Sequence, residues 1–330
     1  PYAAYMRPAN AAIAGLQNWS GIFSYGLQTS PGKGSDIIPQ PSSGVHSFNP
    51  MIMLTERIGS MIFRHGGVKK SDIIIPYVVT KEYIMAKLGI DGAPRVPDKY
   101  YSLGLVCQIG TVIYDSNTDF KQFTCVVVPP DMKVPVGVKG CKIFKADNKL
   151  YNNLKAVLPE MGNNIYKLPN GQTSLDISKK TFTIVSQKFE CFLIPESIKK
   201  IQGNNITISG NKTVSTCFVS SIDRLPLKAS KRMLALYITD LKNSGSVIEY
   251  HNKGQSILRK VGKTPFLLKQ GKIAISIRTE NPGLPKIWAL KYDGSRKVAV
   301  KPKKTKDGFS FTAKAVTEKD TYFAYEIAWK

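Results

Sequence analysis

The strongest constraint on the fold is a series of short segments in which apolar and polar residues alternate between turn residues. The segments read DIIIPYVV, TCVVVPP, TFTIVSQ, NITISGN, TCFVSSID, RMLALYITD and KIAISIRT. A period of two residues is typical of a strand with one face buried. Short strands at regular spacing, separated by turn signals, predict antiparallel β-sandwich modules from about residue 72 onward.

The C-terminal end carries the clearest hairpin signal. KIWALKYDGSRKVAVK consists of two alternating runs joined through Asp293 and Gly294, a pair that favours tight hairpin turns. DGFSFTAK and YFAYEIAW continue the strand pattern. A helix-like segment, NKLYNNLKAVLPEM, interrupts the strands, and we expect a short helix near residues 148–161.

The N-terminal segment has a different pattern, a helix followed by a strand. Residues 11–27 read AAIAGLQNWSGIFSYGL, in which small apolar residues form one helical face. Pro8 suits the first turn of that helix. The β-rich, Gly-bounded run that follows predicts an interior strand over residues 19–26.

A long loop and a second helix come next. Residues 29–48 are rich in Gly, Pro and Ser, and loops of that length are usually functional or disordered. Asn49 is a suitable N-cap and Pro50 suits the first helical turn. The apolar residues then repeat at helical spacing up to the stop at Gly66 and Gly67.

The charge of the chain is strongly positive. It has 47 Lys and Arg against 23 Asp and Glu, a net charge of +24. The cations are mostly lysines scattered along the sequence, whereas nucleic-acid binders more often cluster them with aromatic residues on one face. We expect the densest runs, at 228–232 and 301–306, to lie in hairpin turns. A solvated basic surface is therefore expected, with attraction to an anionic polymer as the alternative.

Several classes of site are disfavoured by spacing. The five cysteines are far apart, with no C-x-x-C motif and no neighbouring histidine, so we expect no metal site, and their odd number cannot all pair. We expect buried free thiols, because most of them fall in strand-like runs. GKGSD at 32–36 lacks the spacing of a phosphate-binding loop. The sequence has no apolar run of about 18 residues, the length that a membrane-spanning helix needs, so no membrane span is predicted. We expect no cofactor.

Several long segments of the sequence resemble a known protein family. ANAAIAGLQNWSGIFSYG followed by FNPMIMLTERIGSMIFRHGGVKKSD resembles the last βα units of the (β/α)8 barrel in bacterial retaining glycoside hydrolases of the clan that includes the β-galactosidases. VSSIDRLPLKASKRMLALYITDLKNSG is similar to the β-domain after that barrel, and the C-terminal strands are similar to the last β-sandwich.

The resemblance implies an α/β plus all-β fold. Residues 1–80 would be the last βα units of a (β/α)8 barrel. Residues 81–265 would form one or more β-rich middle domains that contain the short helix. Residues 266–330 would form a C-terminal β-sandwich.

The resemblance also implies where catalysis would occur. The acid/base and the nucleophile of that clan are glutamates at the ends of the fourth and seventh barrel strands, and both would precede Pro1. Retaining hydrolysis needs two carboxyl groups about 5 to 5.5 Å apart, so this chain alone would lack the catalytic pair. Its expected partner is the N-terminal part of the same protein. An extracellular or periplasmic location is expected, and the β-sandwich modules could build a homo-oligomer.

Candidate substrate-binding residues follow from the barrel geometry, because active sites of such barrels lie at the C-terminal ends of the strands. Tyr25 and Gln28 are the first candidates, since aromatic rings stack on sugars and amides bind hydroxyl groups. Trp19, Arg7 and His46 are further candidates. The alternative for Trp19 and Tyr25 is that they fill the barrel wall.

Two functions remain open. The first is a glycoside hydrolase that cleaves β-glycosidic bonds by a retaining two-carboxylate mechanism, with carbohydrate, neutral or anionic, as its substrate. The second is a non-catalytic carbohydrate-binding or surface structural protein built on the same architecture. Ser20, which stands where the family often has Asp, and the high positive charge favour the second function. The resemblance over several modules favours the first.

Overall fold

The structure is a computed structural model that describes residues 3–23, 50–64, 67–87, 96–138, 140–158, 161–162, 164–167, 171–250, 256–260, 262–318 and 320–329. The chain divides into two compact units. The β-sandwich unit comprises Pro1–Ala12, Ile22–Gly67 and Lys179–Lys330, and the α/β unit comprises Ile13–Gly21 and Val68–Ser178. The division into 1–80, 81–265 and 266–330 stays a prediction.

The first helix, α1, spans Ala3–Leu16 and ends in a Schellman motif. Asn18 adopts φ 58°, its amide donates to the Gly15 carbonyl, and the Trp19 amide donates to the Ala14 carbonyl. The backbone from Trp19 to Phe23 is irregular after this turn, so the predicted strand is wrong over the described part of 19–26. Pro8 lies inside α1 and not in its first turn.

The second helix, α2, spans Pro50–Arg64, which confirms the predicted helix. The predicted N-cap Asn49, the stop residue Gly66 and the predicted loop at 29–48 lie outside the described residues. Met51, Ile58 and Ile62 are buried on its inner side. Among the described residues of 1–80, the structure shows these helices and one strand, and it shows no barrel.

The α/β unit is built around a parallel sheet. Its elements are β1 (Ile74–Val79), α3 (Lys81–Lys87), α4 (Asp98–Ser102), a 3-10 turn (Leu103–Leu105), β2 (Gln108–Ile113), β3 (Cys125–Val128), β4 (Lys142–Lys145), α5 (Leu150–Leu154), β5 (Met161–Gly162), β6 (Ile165–Lys167) and β7 (Thr173–Asp176). The sheet order is β2-β1-β3-β4, and its three pairings are parallel. The short strands β5, β6 and β7 pair antiparallel.

The antiparallel prediction is therefore wrong for residues 74–145. The reason is visible in β1 and β3, which are buried on both faces. Ile75 and Val127 pack into a core on one side of the sheet, while Val78 and Val126 pack into a core on the other side. Continuous apolar runs such as IIPYVV and CVVV are typical of strands in parallel sheets.

The helix near residues 148–161 is present but shorter than predicted. Helix α5 covers Leu150–Leu154, and Leu150, Leu154 and Leu158 contribute to the core of the α/β unit. Proline disfavours the helical conformation of the residue before it, so Pro159 in the sequence opposes a longer helix.

The β-sandwich unit contains the remaining strands, in chain order: β8 (Thr181–Val185), β9 (Phe189–Ile194), β10 (Lys200–Gln202), β11 (Ile206–Ser209), β12 (Ser215–Ser221), β13 (Arg232–Ile238), β14 (Leu241–Ser244), β15 (Val247–Tyr250), β16 (Ser256–Lys260), β17 (Lys263–Leu268), β18 (Lys272–Arg278), β19 (Lys286–Leu290), β20 (Arg296–Val300), β21 (Lys303–Thr305), β22 (Gly308–Lys314) and β23 (Ala324–Ala328). One sheet has the order β10-β11-β18-β22-β21. Within this unit, the other runs β20-β19-β23-β13-β12-β9-β8.

The two sheets share one hydrophobic core, which confirms the predicted antiparallel sandwich for this part of the chain. Ile208, Ile275 and Phe311 from the first sheet pack in the same cluster as Cys217 and Tyr325 from the second. The predicted hairpin is also confirmed: β19 and β20 pair antiparallel, and Gly294 has φ 86° in the turn. Pairs β14–β17 and β15–β16 form two further antiparallel sheets of two strands each.

A buried carboxylate holds the turn between β10 and β11. Glu190 on β9 is 0% exposed. Its Oε1 accepts from the Asn205 amide at 2.6 Å and from Asn205 Nδ2 at 3.1 Å, and its Oε2 accepts from the Ile206 amide at 3.1 Å. Burial raises the pKa of Glu190, against the opposing effect of these hydrogen bonds.

The SSIDRLPLKASKR run folds as a loop around Asp223. Its carboxylate accepts from Ser230 Oγ at 2.8 Å, from Ser221 Oγ at 2.9 Å and from the Lys231 amide at 2.7 Å. Burial acts to raise the pKa of Asp223, but these hydrogen bonds together lower it. The basic run at 228–232 thus lies mostly in a turn, whereas Lys303–Thr305 of the second basic run forms strand β21.

All five cysteines are free thiols, and Cys107, Cys125, Cys191 and Cys217 are buried, which confirms the expectation. Within the described residues, no group of His, Cys, Asp and Glu side chains has the arrangement of a metal site. No described helix combines the length and the apolar character that crossing a membrane would require.

Candidate functional site

The five predicted site residues are only partly described. Tyr25, Gln28 and His46 lie outside the described residues. Trp19 follows α1 in the α/β unit and is 54% exposed. Arg7 belongs to the β-sandwich unit, is buried, and its Nε lies 2.6 Å from Glu56 Oε1 on α2. Their roles in substrate binding stay predictions.

The most buried carboxylates of the described chain have structural partners. Glu190 accepts backbone hydrogen bonds from the β10–β11 turn, as described above. Glu326 on β23 lies between two arginine side chains and is 6% exposed. Neither is arranged as the free acid or nucleophile that a glycosidase needs.

The carboxyl edge of the parallel sheet is a common place for ligands in open α/β folds, at the point where the strand order reverses. Here that point lies between β1 and β3. The Tyr83 hydroxyl donates to Asp131 Oδ1 at 2.8 Å, and Lys87 Nζ lies 2.8 Å from Asp131 Oδ2. These groups join the segments after β1 and β3 and satisfy one another, so this edge is the weaker candidate.

A stronger candidate lies on the β-sandwich, on the face of β13, β23, β19 and β20 that points away from the core. Alternation fixes which residues lie there. Ile287 and Ala289 of β19, like Tyr325 and Ile327 of β23, belong to the core. The residues between them therefore face outward.

The strand register places the outward residues in three adjacent rows. The first row is Lys286, Ala328 and Arg232; the second is Ala299, Trp288, Glu326 and Leu234; the third is Arg296, Leu290, Ala324 and Leu236. We call the surface formed by these residues the outer-face patch. Leu236 and Leu290 of the third row are buried, so the accessible part of the patch is formed mainly by the first two rows and Arg296.

Glu326 is the electrostatic centre of the outer-face patch. Arg296 Nε donates to Glu326 Oε2 at 2.6 Å, and Arg232 Nε donates to Glu326 Oε1 at 3.1 Å. The hydrogen bond from Arg296 lowers the pKa of Glu326, with a further contribution from Arg232 and against the effect of burial. The carboxylate therefore stays ionised at neutral pH and fixes the orientation of both guanidinium groups.

Trp288 supplies the aromatic surface of the outer-face patch. The Arg296 guanidinium carbon lies 5.7 Å from the centroid of the Trp288 ring, within the range of a cation–π contact. Tyr292 lies in the turn after β19, is 57% exposed, and packs edge-on against Phe323 with ring centroids 6.0 Å apart. A partly exposed indole beside fixed donors and an acceptor can bind a ligand that has both apolar and hydroxylated surfaces.

Sequence reasoning missed this patch. KIWALKYDG was recognised as a strand, but Trp288 and Leu290 alternate with Ile287 and Ala289, and all four are apolar. The apolar pattern therefore does not show which face of the strand is buried. Which face is buried depends on the pairing with β23 and on the second sheet. The signal that could have found the patch is the charged residue at the start of β19, since a lysine at a core position is rare.

Comparisons with known proteins add little. No protein-family model matches the sequence, and no curated protein sequence matches it. Among solved structures, the α-L-fucosidase isoenzyme 2 from Paenibacillus thiaminolyticus is similar with a TM-score of 0.21 and 6% sequence identity. The match covers 84% of this chain and 53% of that one, so the chain spans about half of that enzyme's length. This weak neighbour is a glycoside hydrolase, but a likeness of this size carries no argument for fold or function.

Proposed function

We propose that this chain is the C-terminal portion of a glycoside hydrolase and that its outer-face patch binds carbohydrate. The proposal includes the catalytic glutamates upstream of Pro1, a retaining cleavage of β-glycosidic bonds, and residues 1–80 as the end of a (β/α)8 barrel. These points rest on the sequence resemblance. Only the proposal that the outer-face patch of the β-sandwich unit binds carbohydrate is argued from the positions of its side chains.

The observation that carries the geometric part is the position of Trp288 on the outer-face patch. Its ring stands beside a floor of small residues, Ala299 and Ala328 among them. A sugar ring has apolar C–H faces and hydroxyl edges. It could stack against the indole while its hydroxyls meet the guanidinium donors of Arg232 and Arg296, which Glu326 holds in place.

A second function is favoured by separate observations. The net charge of +24, and Ser20 where the family often has Asp, favour a non-catalytic carbohydrate-binding or surface structural protein built on the same architecture. The intact mass of the natural protein separates the two functions. A species that includes an upstream segment with two strand-end glutamates supports the hydrolase, and a natural species of this chain alone refutes it.

The binding test compares Trp288→Ala with Tyr250→Ala. Tyr250 on β15 is 72% exposed and lies away from the outer-face patch in the strand order, so it is a matched aromatic control. Affinity electrophoresis in gels that contain soluble polysaccharides measures the dissociation constants. We expect Trp288→Ala to weaken binding by about 1 to 3 kcal/mol, the scale of stacking on an aromatic ring, or roughly 5- to 150-fold.

The control variant should keep the affinity of the original protein. Thermal unfolding of both variants shows whether the fold is preserved. Equal affinity of all three proteins for every polysaccharide that is bound would refute the outer-face patch as a carbohydrate site.

A further inference from the structure

The outer-face patch carries an excess of positive charge at fixed positions. Lys286, Arg232 and Arg296 are its cations and Glu326 is its anion, so three minus one leaves a local charge of +2. Each cation is exposed, and the carboxylate is almost fully covered. A ligand on this surface therefore meets mainly positive charge.

The two guanidinium groups keep donors for a ligand. Each has five N–H groups. Arg296 uses Nε for Glu326, and Arg232 uses Nε and Nη2 for the same carboxylate. Within the described part of the chain, the remaining N–H groups of Arg296 have no carboxylate partner. Their planar fork matches a second carboxylate, as it does in bidentate arginine–carboxylate pairs.

Lys286 extends the charge along the row of Arg232. The strand register places Ala328 between them, so the two cations stand on opposite sides of a small residue. On the next row, Trp288 lies on the same strand as Lys286, β19. A sugar that stacks on Trp288 would thus place its substituents near cations on both sides.

We propose that the natural ligand of the outer-face patch is a polysaccharide that carries carboxylate groups, such as a chain of uronic acids. The inference rests on the proposed function, since it names the ligand class of that same site. Neutral sugars would leave the +2 charge uncompensated. Single-stranded nucleic acid needs a series of aromatic faces for successive bases, whereas Trp288 is the single aromatic residue in the three rows that define the outer-face patch.

The test uses two polymers with the same backbone, polygalacturonate and its fully methyl-esterified form, which has no charge. Binding is measured at about 50 mM and 300 mM salt, because contacts between exposed charges weaken as salt rises. We expect polygalacturonate to bind at least ten-fold more tightly than the ester at low salt. The difference should shrink at high salt.

A matched pair of double variants separates the patch from the general charge of +24. Lys286→Gln with Arg232→Gln removes two charges from the outer-face patch. Lys303→Gln with Lys304→Gln removes two charges from β21, in the other sheet. We expect the patch variant to lose at least ten-fold more affinity for polygalacturonate than the control, with little change for the ester. The single variant Lys286→Gln, which leaves both partners of Glu326 in place, provides the comparison if the double variant unfolds.

The outcomes distinguish the two proposals. Equal binding of both polymers, with both reduced by Trp288→Ala, would overturn the carboxylate inference and leave carbohydrate binding intact. Equal losses in the two double variants would show a diffuse charge effect and also overturn the inference. Tighter binding to dextran sulfate or to single-stranded DNA than to polygalacturonate would assign the patch to another anion. Binding to no polysaccharide would refute the proposed function itself.

Discussion

Replacement of Glu190 by glutamine should destabilise the β-sandwich unit, although the two side chains have nearly the same shape. The carboxylate accepts three hydrogen bonds over its two oxygens. An amide has one oxygen. If that oxygen keeps the two bonds from Asn205, the amide nitrogen faces the Ile206 N–H group, and two donors meet at about the distance of one hydrogen bond.

The magnitude follows from the burial of Glu190, which is complete. One buried donor without an acceptor costs about 1 to 3 kcal/mol. With a urea m-value of about 2 kcal/mol/M, a loss of about 2 kcal/mol lowers the unfolding midpoint by about 1 M. Glu280→Gln is the control. That side chain is 63% exposed and pairs with Lys228 on the surface, so we expect a change within about 0.5 kcal/mol.

The assay can report on the β-sandwich unit alone. The chain has three tryptophans, and only Trp19 belongs to the α/β unit. In a Trp19→Phe background, the fluorescence of Trp288 and Trp329 follows urea unfolding of the β-sandwich unit. If Glu190→Gln and Glu280→Gln have the same midpoint, the hydrogen bonds of Glu190 do not hold the β10–β11 turn.

The pH dependence tests the cause of the pKa shift. Burial raises the pKa of Glu190 in the folded state, so the folded state binds the proton more tightly than the unfolded state does. The stabilising contribution of Glu190 to the free energy of unfolding is fully present below its pKa in the unfolded state, about 4.3. This contribution is lost as pH rises through the pKa of the folded state. The stability difference between the original protein and Glu190→Gln should fall over that range. A difference that grows with pH would show that the hydrogen bonds outweigh burial.

Two further predictions concern packing and thiol reactivity. Gly67→Ala should destabilise the β-sandwich unit by about 1 to 3 kcal/mol, because the added Cβ would lie 1.9 Å from Phe189 Cε1. Gly110→Ala, with open space around it, is the control, and equal melting temperatures would contradict the prediction. In the native protein, Cys141, which is only partly buried, should react with a thiol reagent well before the four buried cysteines. Early reaction of a second thiol would show that its core opens.

The sequence was sufficient for the elements whose signals are local. Helix α2 follows from its own punctuation, and the β19–β20 hairpin follows from Asp293 and Gly294. The wrong predictions have non-local causes. The parallel pairing of β1 with β2 depends on the second core behind the sheet, and a strand buried on both faces has the same apolar run in either orientation.

The candidate site was harder to predict than the fold. The first candidates came from the family resemblance and from positions near a predicted strand end. The outer-face patch depends on three strands that are distant in sequence. Arg232 and Glu326 meet only because β13 pairs with β23, and Trp288 joins them only because β19 pairs on the other side of β23. Periodicity assigns a face to each strand but does not state which strands are neighbours.

The order of the strands also gives the excess of lysine and arginine a physical role in keeping molecules apart. Within the described chain, β20 lies at one end of its sheet and β21 at one end of the other, and each begins with two adjacent cations, Arg296 with Lys297 and Lys303 with Lys304. Arg296 and Lys297 pair with the carboxylates of Glu326 and Asp320, which neutralise the charge at the β20 edge. Terminal strands expose unpaired backbone groups that can template aggregation. A second molecule that approached the β21 edge with its own β21 would bring lysines together at the distance of paired side chains, where repulsion is unfavourable. At about 1 M salt, where charges are screened beyond about 3 Å, this protection weakens.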